Sequence, residues 1–368
     1  MNQGLFTDAT KMVYPWESSF NVYVNQSLTD SLLSQSYPRH RIAEPSIRLI
    51  SHDGSGINVS GMISLEKGSN DMLEDLADLY NAVTSQDDTD HRDIDGDYLR
   101  LLFSRHGSKP EENAILARDS EGRLIGSSVF FPDRRRTGEL LMRLHVHPDF
   151  RQQGIGTALL EESMDQQKDF DAFVCIVPSF REYAINAAKN WGCVKVGGLK
   201  RMVLRSLRNF THPTAIPEYE IRKAEGVDSS QWADLQNRLF EGHFRYVPVT
   251  SDFYEELRKR DDFVGELSLV GTHNGEIVSY CHGRLLDKGE ASEEKNLLIQ
   301  GFGVASQDRG RGFGTHILKA VLARAADMGI TRSSLLVHSE AEPAISLYHK
   351  LGYREVYTLL YFRKAIEK

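Results

Sequence analysis

Cysteine is scarce in this chain: there are three, Cys175, Cys193 and Cys281, with no CxxC spacing among them. That excludes a disulfide framework and a cysteine-based zinc site, and it fits a reducing cytoplasm. No segment approaches the ~20 consecutive apolar residues of a membrane span. The opening residues, MNQGLFTDATKMVYPW, lack a charged stretch leading into an apolar one, so neither secretion nor membrane insertion is expected. Positive charge is in deficit, with 44 Lys and Arg against 52 Asp and Glu and a formal net charge of −8. This is the wrong sign for a protein whose partner is DNA or RNA, and the right one for a cationic small molecule.

What is present reads as ordinary globular protein, 40% hydrophobic and 26% charged over 368 residues. A chain of that length exceeds what one core usually serves, so two domains are expected. A search for self-similarity finds them. Leu144-His-Val-His-Pro-Asp-Phe-Arg151-Gln-Gln-Gly154-Ile-Gly156-Thr157 corresponds to Phe302-Gly-Val304-Ala-Ser-Gln-Asp-Arg309-Gly-Arg-Gly312-Phe-Gly314-Thr315. Each is followed by a second matching segment, Ala184-Ile-Asn-Ala-Ala-Lys-Asn-Trp-Gly192 and Ala344-Ile-Ser-Leu-Tyr348-His-Lys-Leu-Gly352. Arg151 and Arg309 lie 158 positions apart and Gly192 and Gly352 lie 160 apart, a register that marks a duplicated domain. The seam is placed at 211–217, where Pro213 and Pro217 disfavour continued helix or sheet.

Both copies show one order of elements. Apolar residues at helical spacing predict first helices over 71–83 and 229–240. Strand pairs follow at 115–118 with 124–131, and at 267–272 with 277–285, the latter joined across Asn274-Gly275, a strong hairpin signal. Then come a strand ending at the glycine motif, a helix, an apolar strand (172–177 and 334–337), another helix and a final strand. The fold class is mixed α/β: in each copy a central mixed, mostly antiparallel sheet flanked by helices. Residues 1–45 match nothing in the other half; Tyr14, Trp16, Phe20 and Tyr23 suggest an arm packed on a domain.

The glycine turns carry the chemistry. Glycines between a strand and a helix let phosphate oxygens reach backbone N–H groups, and the helix start adds unsatisfied donors and partial positive charge. No Gly-Lys-Ser/Thr follows either copy, which disfavours a P-loop; Gly310, Gly312 and Gly314 are spaced GxGxG with Leu335 near the place of an acid, which disfavours a dinucleotide fingerprint. The remaining pattern is [Q/R]xxGxG, satisfied by both copies.

With that pattern and the helix after it, the sequence resembles the GNAT acetyltransferases, closely over two stretches of about 55 residues and in element order over most of residues 55–366. The resemblance implies an N-terminal extension (1–45), an N-terminal domain over 46–210, a linker at 211–217 and a catalytic C-terminal domain over 218–368. It implies acetyl-CoA held by Arg309, Gly310, Arg311, Gly312, Phe313, Gly314 and Thr315. The strand residues Phe302, Gly303 and Val304 would pair with the pantetheine arm, one of their N–H groups polarising the thioester carbonyl. The strand carrying 335–337 would splay away. A second cofactor site would comprise Val146, Arg151, Gln153, Gly154, Ile155, Gly156 and Thr157.

Amine attack on a thioester gains from a base at the amine and an acid at sulfur. Tyr348 falls where the family places its acid, whereas the first copy has Ala188 there, which predicts a catalytically silent N-terminal domain. A family glutamate is missing from Leu297-Leu-Ile-Gln300-Gly, and Ala341 replaces a common Asn. The base candidates are His338 and Glu340, followed by Glu342, His282, Glu241 and His243; Glu241, His243 and Glu342 are also assigned to substrate. His145 and His147, at i and i+2 on a strand, lack a third ligand, and no metal is assigned.

The acceptor expected is a primary amine on a small cationic molecule. Fused proteins of this size include self-resistance enzymes acting on zwittermicin- and paenilamicin-type antibiotics, which this chain resembles. Mycothiol synthases, peptide or protein N-acetyltransferases and a non-catalytic CoA-sensing module are the alternatives. A monomer is expected because the two domains are already fused.

Overall fold

A computed structural model describes residues 49–51, 57–59, 63–85, 93–133, 136–259, 263–286 and 295–367. The predicted extension at 1–45 lies outside them. In chain order the elements are β1 (Leu49–Ser51), β2 (Ile57–Val59), β3 (Ile63–Lys67), α1 (Leu73–Thr84), α2 (Gly96–His106), α3 (Pro110–Asn113), β4 (Ala114–Asp119), β5 (Leu124–Pro132), β6 (Glu139–Val146), α4 (Ile155–Gln166), β7 (Ala172–Pro178), α5 (Glu182–Asn190) and β8 (Val194–Leu204). There follow β9 (Tyr219–Lys223), α6 (Ser229–Phe240), α7 (Ser251–Arg258), β10 (Phe263–His273), β11 (Glu276–Leu286), β12 (Asn296–Val304), α8 (Phe313–Asp327), β13 (Arg332–His338), α9 (Glu342–Lys350) and β14 (Arg354–Ala365). The predicted first helices appear as α1 and α6, and both hairpins pair antiparallel. Asn274 and Gly275 turn the second hairpin at φ 51° and 82°, the left-handed geometry a two-residue hairpin turn needs.

The chain divides into two compact units, Gly197–Leu359 and, in the other, the described residues up to Val196 together with those after Leu359. In the first of these the strand order is β9-β10-β11-β12-β13-β8-β14, with β12 and β13 parallel. In the other it runs β1-β2-β3-β4-β5-β6-β7-β14, with β6 and β7 parallel. Sequence reading places 197–204 with the first copy and all of 354–368 with the second. In space β8 pairs antiparallel with β13, from Ser333↔Leu204 to His338↔Leu199. The end of β14 joins the first copy instead: Phe362 packs with Val177 and Ala188, and Ile366 N–H bonds Asp171 O at 3.0 Å.

β8 and the residues just after it are anchored by their side chains. Met202, Leu204 and Leu207 are buried in the core formed by β10–β13, α8 and α9. Burial of a large aliphatic side chain is worth about 1.5–3 kcal/mol, so losing three of them removes most of an ordinary domain's stability of about 5–15 kcal/mol. A fragment cut at 218, which lacks β8, is therefore expected to be insoluble or to show no near-UV circular dichroism; a cooperative thermal transition from it would contradict this account of the unit.

Candidate active site

In Gly197–Leu359 the parallel ladder between β12 and β13 runs only from Asn296↔Arg332 to Ile299↔Leu335. Beyond it Leu336, Val337 and His338 bond to β8 alone, and β12 continues to Val304 paired only with β11. The strands thus part in a fork from Leu336 onward, whereas Leu335, expected to splay with 336 and 337, still pairs with Ile299. Past the open end of β12 the chain turns at Gly310 (φ 79°) and Gly312 (φ 86°) into α8. These are left-handed values that glycine adopts without strain. No side chain caps α8, and its first bond is His316 N–H to Gly312 O at 3.0 Å. The amides of Phe313, Gly314 and Thr315 are therefore left as donors at a positive helix end.

The turn is braced from beneath. Phe313 stacks on Tyr219 (4.1 Å between centroids, 8° between planes) and lies 5.1 Å from the His273 ring. His273 Nδ1 meets Asp308 Oδ1 at 2.9 Å, both groups buried. Arg309 Nε–H bonds Val304 O at 3.1 Å, and a Cβ on Gly314 would fall 3.2 Å from both Phe302 and Val304. In the sequence the only trace of this brace is Asp308, immediately before the Arg of the motif.

Tyr348 of α9 is buried beside Phe302 (6.0 Å between rings) and Tyr353 (5.7 Å). Burial, then the neighbouring Cys281 and Tyr353, hold its phenol pKa well above the ordinary value, so it stays protonated. Among the described residues its hydroxyl has no hydrogen-bond partner.

The wall opposite α8 is built by the turn after α6. Gly242 (φ 75°) and Arg245 (φ 57°) fold it tightly, and Asn237 latches it through Val249 N–H and O, both at 2.9 Å, with Tyr246 OH also donating to Asn237. This fixes His243 in the interior, where neither ring nitrogen has a partner. Burial, then Arg309, then His338, push its pKa down to about 4. Phe244 stacks on His338 at 5.2 Å and lies so near β8 that a Cβ on Gly197 would fall 2.5 Å from its ring. His338 is half-buried, its pKa lowered by burial against the opposing pull of Glu340. Glu241, Glu340 and Glu342 are exposed. His282 Nδ1 lies 2.7 Å from Ser268 Oγ. Of the predicted base and substrate residues, the fold brings His243 and His338 together.

The other unit keeps the same turn. Its fork opens after Met142↔Cys175, Gln152 (φ 62°) and Gly154 (φ 82°) repeat the two left-handed residues, and α4 has no side-chain cap. Arg151 Nε–H bonds Val146 O at 3.4 Å, and the guanidinium lies 3.9 Å from the Tyr183 ring centroid. A Cβ on Gly156 would meet Trp191, whose Nε1–H bonds Thr157 Oγ1 at 3.0 Å. Gln153 Nε2 bonds Asp149 O, and Ile155 is core. Ala188 is buried in one cluster with Val177 and Phe362.

His145 packs edge-on to Tyr80, while His147 Nδ1 lies 3.8 Å from Asp149. Among the described residues no group of three His, Cys, Asp or Glu is placed to hold a metal, and no helix is long and apolar enough to cross a membrane. Burial, with Arg181, Arg143 and Arg151, takes the His145 pKa to about 3.

His243 and His145 resist protonation when folded but accept it near pH 6.5 when unfolded. Stability is therefore expected to fall as pH drops from 6.5 towards 4, by about 1.4 kcal/mol per unit for each. Urea unfolding at pH 7 and pH 5 should show this loss, smaller in His243→Gln; equal loss in that variant would contradict the burial of a neutral ring.

The model of the acetyltransferase (GNAT) family matches residues 72–196 and again 230–353. The mycothiol acetyltransferase of Pseudarthrobacter chlorophenolicus is 24% identical over 246 residues, 66% of this chain and 75% of its own. That of Nocardiopsis dassonvillei is 27% identical over 283 residues, 69% and 82% of the two chains. Among solved structures, a GCN5-related N-acetyltransferase from Sphaerobacter thermophilus superposes with a TM-score of 0.66 at 20% identity, covering 83% of this chain and 96% of its own. A tandem GNAT protein from the clavulanic acid biosynthesis pathway gives 0.60 at 14%, covering 83% and 99%.

Proposed function

The chain belongs to the acetyltransferase (GNAT) family, and on that premise we propose that the unit Gly197–Leu359 transfers acetyl from acetyl-CoA to a primary amine of a small cationic molecule, both held at once. Acetyl-CoA supplies the acyl group as a thioester. The residues present suit it: the amides at 313–315 are unclaimed donors for a diphosphate, with Arg309 and Arg311 as charge complements. The open edge of β12 at 302–304 offers backbone to an extended arm, and one of its N–H groups polarises the acyl carbonyl. Tyr348, kept protonated by its surroundings, donates to the departing sulfur. His338, beside Glu340, takes the amine proton, and His243 contacts the acceptor. The observation that carries this reading is the row of unclaimed amides at the head of α8, standing at the open end of the fork.

The first unit retains the cradle but, having Ala188 for Tyr348, binds without turning over. The acceptor reading has two branches. The net charge of −8 and the exposed Glu241, Glu340 and Glu342 support a cationic antibiotic, and with it self-resistance; the similarity to mycothiol acetyltransferases supports a mycothiol-type amine. Incubation with acetyl-CoA and a panel of spermidine, cationic peptide and aminopolyol antibiotics and the mycothiol precursor, read by thiol release and by mass, tests both. A gain of one acetyl group by one amine is expected. Thermal stabilisation by acetyl-CoA with no thiol release from any of them would replace the enzyme by a CoA sensor.

A further inference from the structure

The β11–β12 ladder is irregular at one place. His282 faces Gly301 and Gly283 faces Ile299, so Gln300 is the extra residue of a bulge. Ile299 is also the last residue of β12 paired with β13, which puts the bulge at the crotch of the fork. Ile299 points into the core beneath α8. A Cβ on Gly301 would lie 2.9 Å from Tyr280, whose hydroxyl donates to Gln236 of α6 at 2.9 Å. Gln300 alternates with Ile299, and the bulge turns Gln300 and Gly301 alike towards the α6 layer. That layer is the side of His243 and Phe244, opposite the cradle helix. Gln300 is 6% exposed, and its Oε1 is buried with no hydrogen-bond partner. Folded proteins leave few buried acceptors in this state, because the lost hydration is not repaid.

We infer that the Gln300 side-chain carbonyl anchors the acceptor, taking a hydrogen bond from the nitrogen that becomes acetylated; this rests on the transferase reading above. The residue selects for a primary amine. Such a nitrogen carries two N–H groups and a lone pair: the lone pair forms the C–N bond as the C–S bond breaks, one proton leaves to the base, and the sulfur takes one from Tyr348. The second N–H remains on the amide product and keeps its bond to Gln300. A hydroxyl has one hydrogen, which it must surrender, and leaves Gln300 unpaired. A glutamine at this place cannot itself be the base, since its amide does not take up a proton near neutral pH, so it positions where the base acts.

The test is made first on the full chain without acetyl-CoA. The side-chain amide signal of Gln300, identified in ¹⁵N-labelled protein by its loss in Gln300→Met, is followed while propylamine is added. A saturable shift with propylamine is expected. No shift overturns the inference. Kinetics give a second reading with the amine found in the panel. Gln300→Met should raise KM for the amine about tenfold, the worth of one hydrogen bond of about 1.4 kcal/mol, while calorimetric affinity for acetyl-CoA stays unchanged and Gln300→Glu keeps amine binding. If Gln300→Met melts higher with kcat and both KM values intact, Gln300 is only a poorly satisfied core residue. Failure of the wild type to bind acetyl-CoA would sink the transferase reading, while the propylamine titration would still decide the role of Gln300.

Discussion

Tyr348→Phe is expected to lower kcat by about 10²-fold, the usual worth of a positioned general acid, while acetyl-CoA binds as before. The substitution removes one oxygen from a ring packed between Phe302 and Tyr353, so the core is preserved and the melting temperature should move little. The phenol pKa is raised by burial, so no loss of activity from tyrosine ionisation is expected across the neutral and mildly alkaline range. Steady-state kinetics with a good amine, beside calorimetry with acetyl-CoA, check both halves of the claim. Unchanged kcat would remove Tyr348 from the chemistry.

The second large effect concerns the glycines at the two helix starts. Gly312 stands at φ 86° and Gly154 at φ 82°. A side chain at Gly312 would meet only Ile216, at 4.0 Å, so packing is not the obstacle; the left-handed backbone is, at about 1–2 kcal/mol for an ordinary residue. In Gly312→Val the chain relieves that strain by swinging the amides of the first turn of α8 out of line. Affinity for acetyl-CoA is expected to fall about tenfold or more, with turnover falling alongside. Gly154→Val imposes the same strain in the other unit, where Ala188 replaces the acid, and should leave turnover within about twofold. The reverse pattern, turnover lost in Gly154→Val and kept in Gly312→Val, would assign catalysis to the first unit.

Much of this was legible in the residues themselves. The left-handed glycines, the strand-to-helix placement and the 158-residue register between Arg151 and Arg309 are local patterns with local causes, and the two glycine turns and the hairpins stand where those patterns put them. Non-local pairing was not legible. Nothing in Val194–Leu204 distinguishes a strand that finishes its own copy's sheet from one that pairs with β13, because alternating burial specifies a face and not a neighbour. Gln152 shows a different limit: it adopts φ 62° where the second copy has Gly310, so the first cradle keeps its shape despite lacking that glycine. The bulge at Gln300 depends on register with β11, which a single strand's sequence does not encode. The place of His243 after the first helix is legible in the sequence, but its isolation from every hydrogen-bond partner follows from the Asn237 latch, twelve residues of chain folded back to Val249.

The central claim is that main-chain donors at the head of α8 hold the diphosphate of acetyl-CoA. A crystal structure of the wild-type chain with CoA tests it most directly. The diphosphate oxygens should lie within hydrogen-bond distance of the amides of residues 313–315, with the arm running along 302–304 into the fork. Diphosphate density anywhere else in the C-terminal unit, or none there at a CoA concentration that saturates the protein, would contradict the account.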